Sequence, residues 1–525
     1  MGIVEFQPDE KYHFRGEGKM SDPGKSPFDL CVIGCGSAGF TAAVRALDLG
    51  KKVCIVENGD IGGAGVKWGA LASKTMYELS KDFAIASKTD RGYSCNGLVA
   101  DYAAVRRTVM QAVREKQDQM TKQIEAMAAK KSNGTGPVRF IQGRAEFLSP
   151  RRVRTTDSAG GSGEIEADHI LIATGSTPRQ LPGVSIDQKR IFDSDGILNL
   201  ERFPKRLMIV GAGIVGCEYA TIFSNYRQTD IYLIDRAERI LPYEDPDVSE
   251  FVDANLTGKG VEVLHSAQLS SIAEVPDGLR VGLVFDDGRK DAYAVDALLM
   301  SVGRSARSAD LGLAHAGIET NDRGIIQTDE FCRAAGSVYA AGDVSNYPNL
   351  VSIAELEGRQ AVRHMFGLNP LPLNYGTMAT VMFFSPPVAA VGLNEQQCQK
   401  NGLPYKAGVY SFALLNRAIA MRAPNGFVKI IVSDDDQERI LGMRAAGPQV
   451  STMIMAVAVL IDQDKAFTDL SGSIYPHPTM AEAIQECLRL LRGDSTYKPD
   501  VFPEYLKIRR WDPQRGYWQP SQQGK

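Results

Sequence analysis

An apolar strand that runs into Gly-x-Gly-x-x-Gly and continues as a helix occurs twice in this chain, and few folds accommodate that grammar. Phe28–Ile33 reads as a buried parallel strand, Gly34-Cys35-Gly36-Ser37-Ala38-Gly39 follows it directly, and a helical pattern runs from Phe40 to Leu49. Each glycine has its own physical task. The first permits a tight turn, the second lets the backbone approach a diphosphate, and the third allows close packing of helix on strand. A second strand, Lys52–Val56, ends in Glu57, at the spacing of about 20 residues where an acid bonds ribose hydroxyls. The grammar returns at Arg206–Val210, then Gly211-Ala212-Gly213-Ile214-Val215-Gly216, a helix through Cys217 to Ser224, and the strand Ile231–Ile234 ending in Asp235. Candidate dinucleotide-binding residues are therefore Gly34, Gly36, Ser37, Gly39 and Glu57 in the first unit, and Gly211, Gly213, Gly216 and Asp235 in the second. Two such sites imply two different dinucleotides, and flavin with nicotinamide is the complementary pair for moving a hydride. The alternative is a duplicated fold with one inactive site.

Size and composition set the outer bounds. The 525 residues exceed a single core and predict two to four domains. Hydrophobic and charged fractions of 44% and 23% are those of a globular chain. A net charge of -4 offers neither a basic field for nucleic acid nor a polybasic membrane anchor. The apolar runs all fall short of the roughly 20 residues of a transmembrane helix. Met1–Pro27 lacks the apolar centre of a secretory signal, so a cytoplasmic protein is expected. Cys31, Cys35, Cys54, Cys95, Cys217, Cys332, Cys398 and Cys487 form no zinc pair and read as buried thiols in a reducing compartment, with no metal site expected. Cys31 and Cys35 flank a strand end like a redox pair, but Cys35 lies inside a loop that must face a pyrophosphate. Ala104 to Ala129 reads as a solvated helix, 138–141 and 143–147 as strands, and 158–163 as a loose turn.

Two further segments assign the flavin to the first unit. Ile172-Ala173-Thr174-Gly175 and Gly336-Ser337-Val338-Tyr339-Ala340-Ala341-Gly342-Asp343 resemble the other signatures of FAD-dependent disulfide reductases. With Ser301-Val302-Gly303-Arg304 and Pro476-His477-Pro478-Thr479-Met480-Ala481-Glu482, the order from Phe28 to about Arg492 resembles the class I pyridine nucleotide–disulfide oxidoreductases, which include dihydrolipoamide dehydrogenase, glutathione reductase and mercuric reductase. The resemblance implies an α/β fold with two Rossmann-like dinucleotide-binding domains, for FAD and NAD, plus a C-terminal α+β dimerisation domain. The expected boundaries are an extension at 1–27, FAD binding at 28–173 and 306–366, NAD(P) binding at 174–305, dimerisation at 367–492 and a tail at 493–525. Thr174, Gly175, Gly303, Gly342 and Asp343 join the cofactor sites by motif match, Asp343 at the ribityl chain. The resemblance also makes Lys74 and Glu218 the charged pair beside the flavin, and His477 and Glu482 the acid–base pair that reaches a partner's active site in a homodimer. Asp235 favours NAD, because a carboxylate accepts bonds from a free 2′-hydroxyl and repels a 2′-phosphate, while Arg236 and Arg239 leave NADP open.

The resemblance breaks at one place. Gly62-Gly63-Ala64-Gly65-Val66-Lys67-Trp68-Gly69-Ala70-Leu71-Ala72-Ser73-Lys74 has the frame of the family's redox-disulfide helix, Gly-Gly-Thr-Cys-x-x-x-Gly-Cys-x-Pro-Ser-Lys, but contains no cysteine. Gly65 and Ala70 stand at the thiol positions, Ala72 at the proline and Lys67 at the asparagine. Disulfide exchange needs a thiolate, so the expected reaction runs from NADH to FAD and then directly to a small non-disulfide acceptor such as a quinone. Trp68 and Tyr475 offer aromatic surface to a flat acceptor, although such residues more often serve packing. Rival readings are a soluble pyridine nucleotide transhydrogenase and a weakly catalytic nucleotide-sensing partner protein. His477 and Glu482 then remain as an acid–base pair for the acceptor or as a packing relic. The tail, with Tyr497, Phe502, Tyr505, Trp511, Tyr517 and Trp518, is expected to dock on the chain's own surface or on a partner.

Overall fold

A computed structural model describes residues 28–129, 137–345, 349–464 and 468–518. The expected extension at 1–27 and residues 519–525 of the tail lie outside them. The chain forms two compact units. Of the described residues, one holds those within 28–73, 109–177 and 304–373, and the other those within 74–108, 178–303 and 374–518.

In the first unit, β1 (Phe28–Ile33), α1 (Ser37–Asp48) and β2 (Val53–Glu57) build the predicted strand–helix–strand motif. The helix begins three residues before Phe40, because Gly36 already serves as its N-cap. β1 lies parallel to β2 on one side and to the strand Ser162–Ile172 on the other. Val138–Ser149 extends the parallel sheet beyond β2, and Val338–Ala340 extends it beyond Ser162–Ile172. The chain therefore reverses direction across the sheet beside β1, which opens a crevice at the carboxyl ends of the strands. The two short strands expected at 138–141 and 143–147 are one, which pairs with β2 as far as Gln142 and with Arg152–Asp157 from Gly143. The helix Val351–Met365 comes so close to α1 that a Cβ on Gly358 would lie 2.3 Å from the Ala38 carbonyl oxygen. The cysteine-free stretch folds as a short helix α2 (Gly63–Lys67), a turn over 68–70, and α3 (Leu71–Ala86), which belongs to the second unit from Lys74 onward.

In the second unit, β3 (Arg206–Val210), α4 (Ile214–Tyr226), β4 (Asp230–Ile234) and α5 (Pro246–Thr257) repeat the motif. β3 lies between β4 and Ala297–Met300, with Val261–Leu264 and Ile191–Asp193 at the parallel sheet's edges. A separate antiparallel sheet of seven strands follows. Its later members are β5 (Tyr405–Ser411), β6 (Phe427–Ser433) and the strand Ile440–Ala446 and, after helix α6 (Val450–Asp462), β7 (Leu506–Asp512) and β8 (Gly516–Trp518). β7 pairs with β5 from Tyr405 opposite Trp511 to Tyr410 opposite Leu506, and β8 pairs with β7. The described part of the tail thus docks on its own chain, with Leu506 buried and the Trp511 ring stacked on Tyr405 at 5.9 Å. No described helix is long and apolar enough to cross a membrane.

Candidate active site

The two glycine loops match each other contact by contact. Gly34 and Gly211 take φ of +100° and +101°, and a Cβ on them would lie 2.4 Å from Ala173 O and 2.6 Å from Ser301 O. A Cβ on Gly39 or Gly216 would lie 1.9 Å from the carbonyl oxygen of Gly34 or Gly211, respectively. The middle glycines face space instead: beside Gly36 nothing is nearer than Gly63 Cα at 3.9 Å, and beside Gly213 nothing lies within 4 Å. α1 and α4 start at these residues with no side-chain cap, so first-turn N–H groups are left to an anionic ligand. Both cradles fit a dinucleotide diphosphate. Each is closed by the predicted acid. Glu57 accepts the N–H of Cys35 at 2.5 Å and of Gly59 at 2.6 Å, and Asp235 accepts those of Ala212 at 2.7 Å and Ala237 at 2.9 Å. Burial raises the Glu57 pKa, against the lowering effect of its two N–H donors.

Around the first loop, Thr174 Oγ donates to Arg307 O at 2.6 Å, and Gly175 O accepts the Arg307 N–H at 2.9 Å. Asp343 Oδ2 accepts the Ser176 hydroxyl at 2.5 Å, and Ser176 in turn accepts Arg304 Nε at 2.7 Å. The Gly342 N–H donates to the buried carboxylate of Glu357 at 2.6 Å. Ser176, Arg304 and Glu357 were not among the candidates. Arg304 ends the Ser301-Val302-Gly303-Arg304 motif and Ser176 follows Gly175, but 128 and 167 residues separate Ser176 from its two partners. Gly303, at φ +102°, accepts the Arg179 N–H at 2.9 Å.

Lys74, from α3, donates to Glu218 Oε2 at 2.8 Å, and Glu218, from α4, is 6% exposed. The other carboxylate oxygen accepts the Phe383 N–H at 3.1 Å, and the Lys74 ammonium lies 5.0 Å from the Phe383 ring centroid. Tyr77 meets that ring edge-on and donates its hydroxyl to Phe384 O at 2.8 Å. The predicted pair is therefore formed, and Phe383 is a further member that the sequence did not reveal.

At Gly65, a Cβ would lie 2.6 Å from Ser37 Oγ and 3.1 Å from Val351 Cγ2. Ala70 sits in the turn between α2 and α3, and Lys67 pairs with Asp60 while lying 4.4 Å over the Trp68 ring. All eight cysteines are free thiols. A hydrogen bond to Cys54, together with burial, pushes the Cys31 thiol well up, and burial does the same to Cys35. His477 Nδ1 bonds Glu482 Oε1 at 2.7 Å, and Glu482 Oε2 accepts the Thr479 N–H at 2.7 Å. With its ring 60% exposed, His477 is oriented by Glu482 and turned outward. Arg239 Nη2 donates to Pro242 O at 3.2 Å and Glu244 O at 3.0 Å, which ties that end of its guanidinium to its own loop.

A chain that builds one glycine-loop cradle twice, each closed by an acid, has the form of the oxidoreductases in which a flavin and a nicotinamide share one polypeptide. Comparison with known proteins narrows that class. The family described as pyridine nucleotide-disulphide oxidoreductase matches residues 28–358, and its dimerisation domain matches residues 378–488. This chain belongs to that family. A dihydrolipoyl dehydrogenase of Bacillus subtilis is 31% identical over 482 residues, covering 90% of this chain and 99% of the relative. Dihydrolipoyl dehydrogenase 3 of Haloarcula marismortui is 31% identical over 478 residues, covering 90% and 98%. Among solved structures, LpdA of Mycobacterium tuberculosis gives a TM-score of 0.79 at 25% identity over 88% of this chain and 99% of that one. The HOCl-induced flavoprotein disulfide reductase RclA of Escherichia coli, as its Cu(II) complex, gives 0.79 at 25% over 89% and 100%. The protein is thus a flavoprotein oxidoreductase of FAD and NAD(P), and its dimerisation domain supports a homodimer.

Proposed function

We propose that this protein is a cytoplasmic NADH oxidoreductase that moves two electrons from NADH through FAD to a small non-disulfide acceptor such as a quinone. The observation that carries the reading is position 65, where the family pattern puts a thiol and this chain has a glycine with Ser37 Oγ 2.6 Å from where a Cβ would be. Ala70 replaces the second thiol, and the buried, weakly acidic Cys31 and Cys35 are poor substitutes for it. Bound FAD supplies the two-electron carrier.

The assigned work of the residues follows from their chemistry. In the FAD domain, 28–173 and 306–366, Gly34, Gly36, Ser37 and Gly39 receive the diphosphate, Glu57 the ribose, and Gly342 and Asp343 the remainder, joined from just beyond its bounds by Thr174 and Gly175 and by Ser176 and Arg304, which orient Asp343. In the NAD domain, 174–305, Gly211, Gly213 and Gly216 receive the diphosphate and Asp235 the ribose, while Gly303 shapes a neighbouring turn. The Asp235 charge rejects a 2′-phosphate, and Arg239 is engaged with its own loop, which favours NADH over NADPH. Lys74, held by Glu218, offsets negative charge as it develops on reduction. His477, oriented by Glu482, delivers a proton to the reduced acceptor. NADH provides two electrons and one proton, a quinone takes two electrons and two protons, and the second proton comes from solvent.

An anaerobic titration tests the reading. One equivalent of NADH should bleach the flavin without a long-wavelength thiolate-to-flavin band, arsenite should not inhibit, and quinone turnover should exceed that of lipoamide. A strong charge-transfer band or rapid dithiol turnover sinks it. Equal rates of flavin reduction by NADH and NADPH would favour transhydrogenation instead.

A further inference from the structure

The proposed reaction leaves the C-terminal tail without a role, yet the tail delivers a guanidinium to a buried charge cluster. Lys429, on β6, has a side chain with no exposure, and its ammonium donates to Asp245 Oδ2 at 2.6 Å, Asp247 Oδ1 at 2.6 Å and Glu395 Oε1 at 3.0 Å. Arg509, on β7, adds bonds to Glu395 Oε1 at 2.9 Å and Asp247 Oδ2 at 3.2 Å. Three carboxylates against one ammonium leave a formal excess of two negative charges, and Arg509 reduces it to one. Uncompensated charge near a buried ammonium cluster is unfavourable, so Arg509, partly exposed itself, halves the excess that Lys429 leaves. β7 and β8 are also the last two strands of their sheet. Their departure would break no ladder but their own, which makes them the separable end of the sheet.

The cluster connects to the second glycine loop by short steps. Asp245 is the N-cap of α5 and Asp247 lies in its first turn. Immediately upstream, Glu244 pairs with the buried Arg444 at 2.8 Å, and Arg239 ties Pro242 O and Glu244 O together. Leu241 then donates its N–H to Ala212 O at 3.0 Å, while Asp235 Oδ2 accepts the Ala212 N–H at 2.7 Å. The segment from Asp235 to Asp247 therefore grips the middle of Gly211–Gly216 at one end and the tail's guanidinium at the other.

We propose that β7 is a positioning element of the nicotinamide site: Arg509, acting through Asp247 and Glu395, fixes the segment 235–247 against the glycine loop and so sets the affinity for the nicotinamide dinucleotide. The inference rests on the assignment of NADH to the second loop. Arg509 is a positioning residue, remote from the reacting atoms.

The test uses full-length FAD-loaded enzyme carrying Arg509→Gln, with NADH and a soluble quinone. KM for NADH should rise about fivefold or more, a typical coupling between linked sites, with kcat within about twofold and FAD content unchanged. Arg509→Lys should recover part of the affinity. Asp247→Asn should add less in the Arg509→Gln background than in the wild type, because the two act as one unit. A chain ending at Tyr505 should behave like Arg509→Gln; where that truncation does not fold, the point variants decide. Unchanged KM in a folded Arg509→Gln enzyme, with or without a lowered melting temperature, overturns the inference. So does loss of FAD with kcat and KM changing together. Should NADH fail to bleach the wild-type flavin, the functional reading falls first; should it bleach wild type and Arg509→Gln at equal concentrations, only the role of the tail falls.

Discussion

A side chain at position 65 would need room that Ser37 and Val351 already occupy, at 2.6 and 3.1 Å from where its Cβ would lie. Two effects oppose each other in Gly65→Ala. Alanine gains about 0.8–1.0 kcal/mol over glycine in a helix, and overpacking costs about 1–3 kcal/mol. Rotation of the Ser37 hydroxyl relieves part of the clash, but Val351 must also give way. Gly65→Ala is expected to be net destabilising by about 1 kcal/mol, measured by denaturation of the FAD-loaded protein. A variant more stable than wild type would show the position to be open. The glycine roles were legible in the sequence because each follows from backbone geometry at fixed spacing. The Arg304–Ser176–Asp343 relay was not, because its members meet only through folding.

At the scale of elements, the buried cluster joins α5, β6, β7 and the helix Glu395–Lys400. Burial alone would raise the Asp245 pKa, but the charge and hydrogen bond of Lys429 and the N–H groups of Glu395 and Gln396 hold it below the usual carboxylate range. Burial alone would lower the Lys429 pKa, and the charges of Asp247, Glu395 and Asp245 raise it instead. The signs follow from linkage. The Asp245 contribution is present above its unfolded pKa of about 4 and is lost as pH falls through the lower folded value. The Lys429 contribution is complete below about pH 10.4 and is lost as pH rises through the higher folded value. Lys429→Met removes the partner of three carboxylates and should cost about 3–5 kcal/mol near neutral pH. The difference from wild type should shrink as pH falls, beginning above about pH 4, because without Lys429 burial raises the Asp245 carboxyl above its ordinary value; urea denaturation at a series of pH values checks both. A difference independent of pH would mean that charge compensation is not what Lys429 contributes. The Rossmann strands were legible as apolar runs before glycines. β7 was not: Lys507, Arg509 and Arg510 hide its strand pattern, its ladder partner lies about a hundred residues upstream, and the Asp247 that meets Arg509 lies 262 residues away.

At the scale of the whole molecule, segment order revealed the family, but association depends on a surface that only folding creates. Thr452, Met455, Ala456 and Val459 form an exposed stripe on α6 at helical spacing, with Met455 and Val459 53% and 48% exposed. Their opposite face, including Met453, Ile454 and Val457, is buried in the sheet's core. A largely apolar exposed stripe inside the dimerisation domain marks an interaction surface, and the second copy is expected to cover it. Both glycine loops, Lys74 and Glu218 belong to a single chain, whereas His477 is turned outward. The two half-reactions should therefore separate when the dimer is broken. Met455→Asp combined with Val459→Asp is expected to give a folded monomer by light scattering, still bleached by NADH under anaerobic conditions but turning over quinone at least about a hundredfold more slowly, the loss typical when a general acid is removed. A dimer that survives both charges would place the interface elsewhere, and a monomer with full quinone turnover would remove His477 from the chemistry.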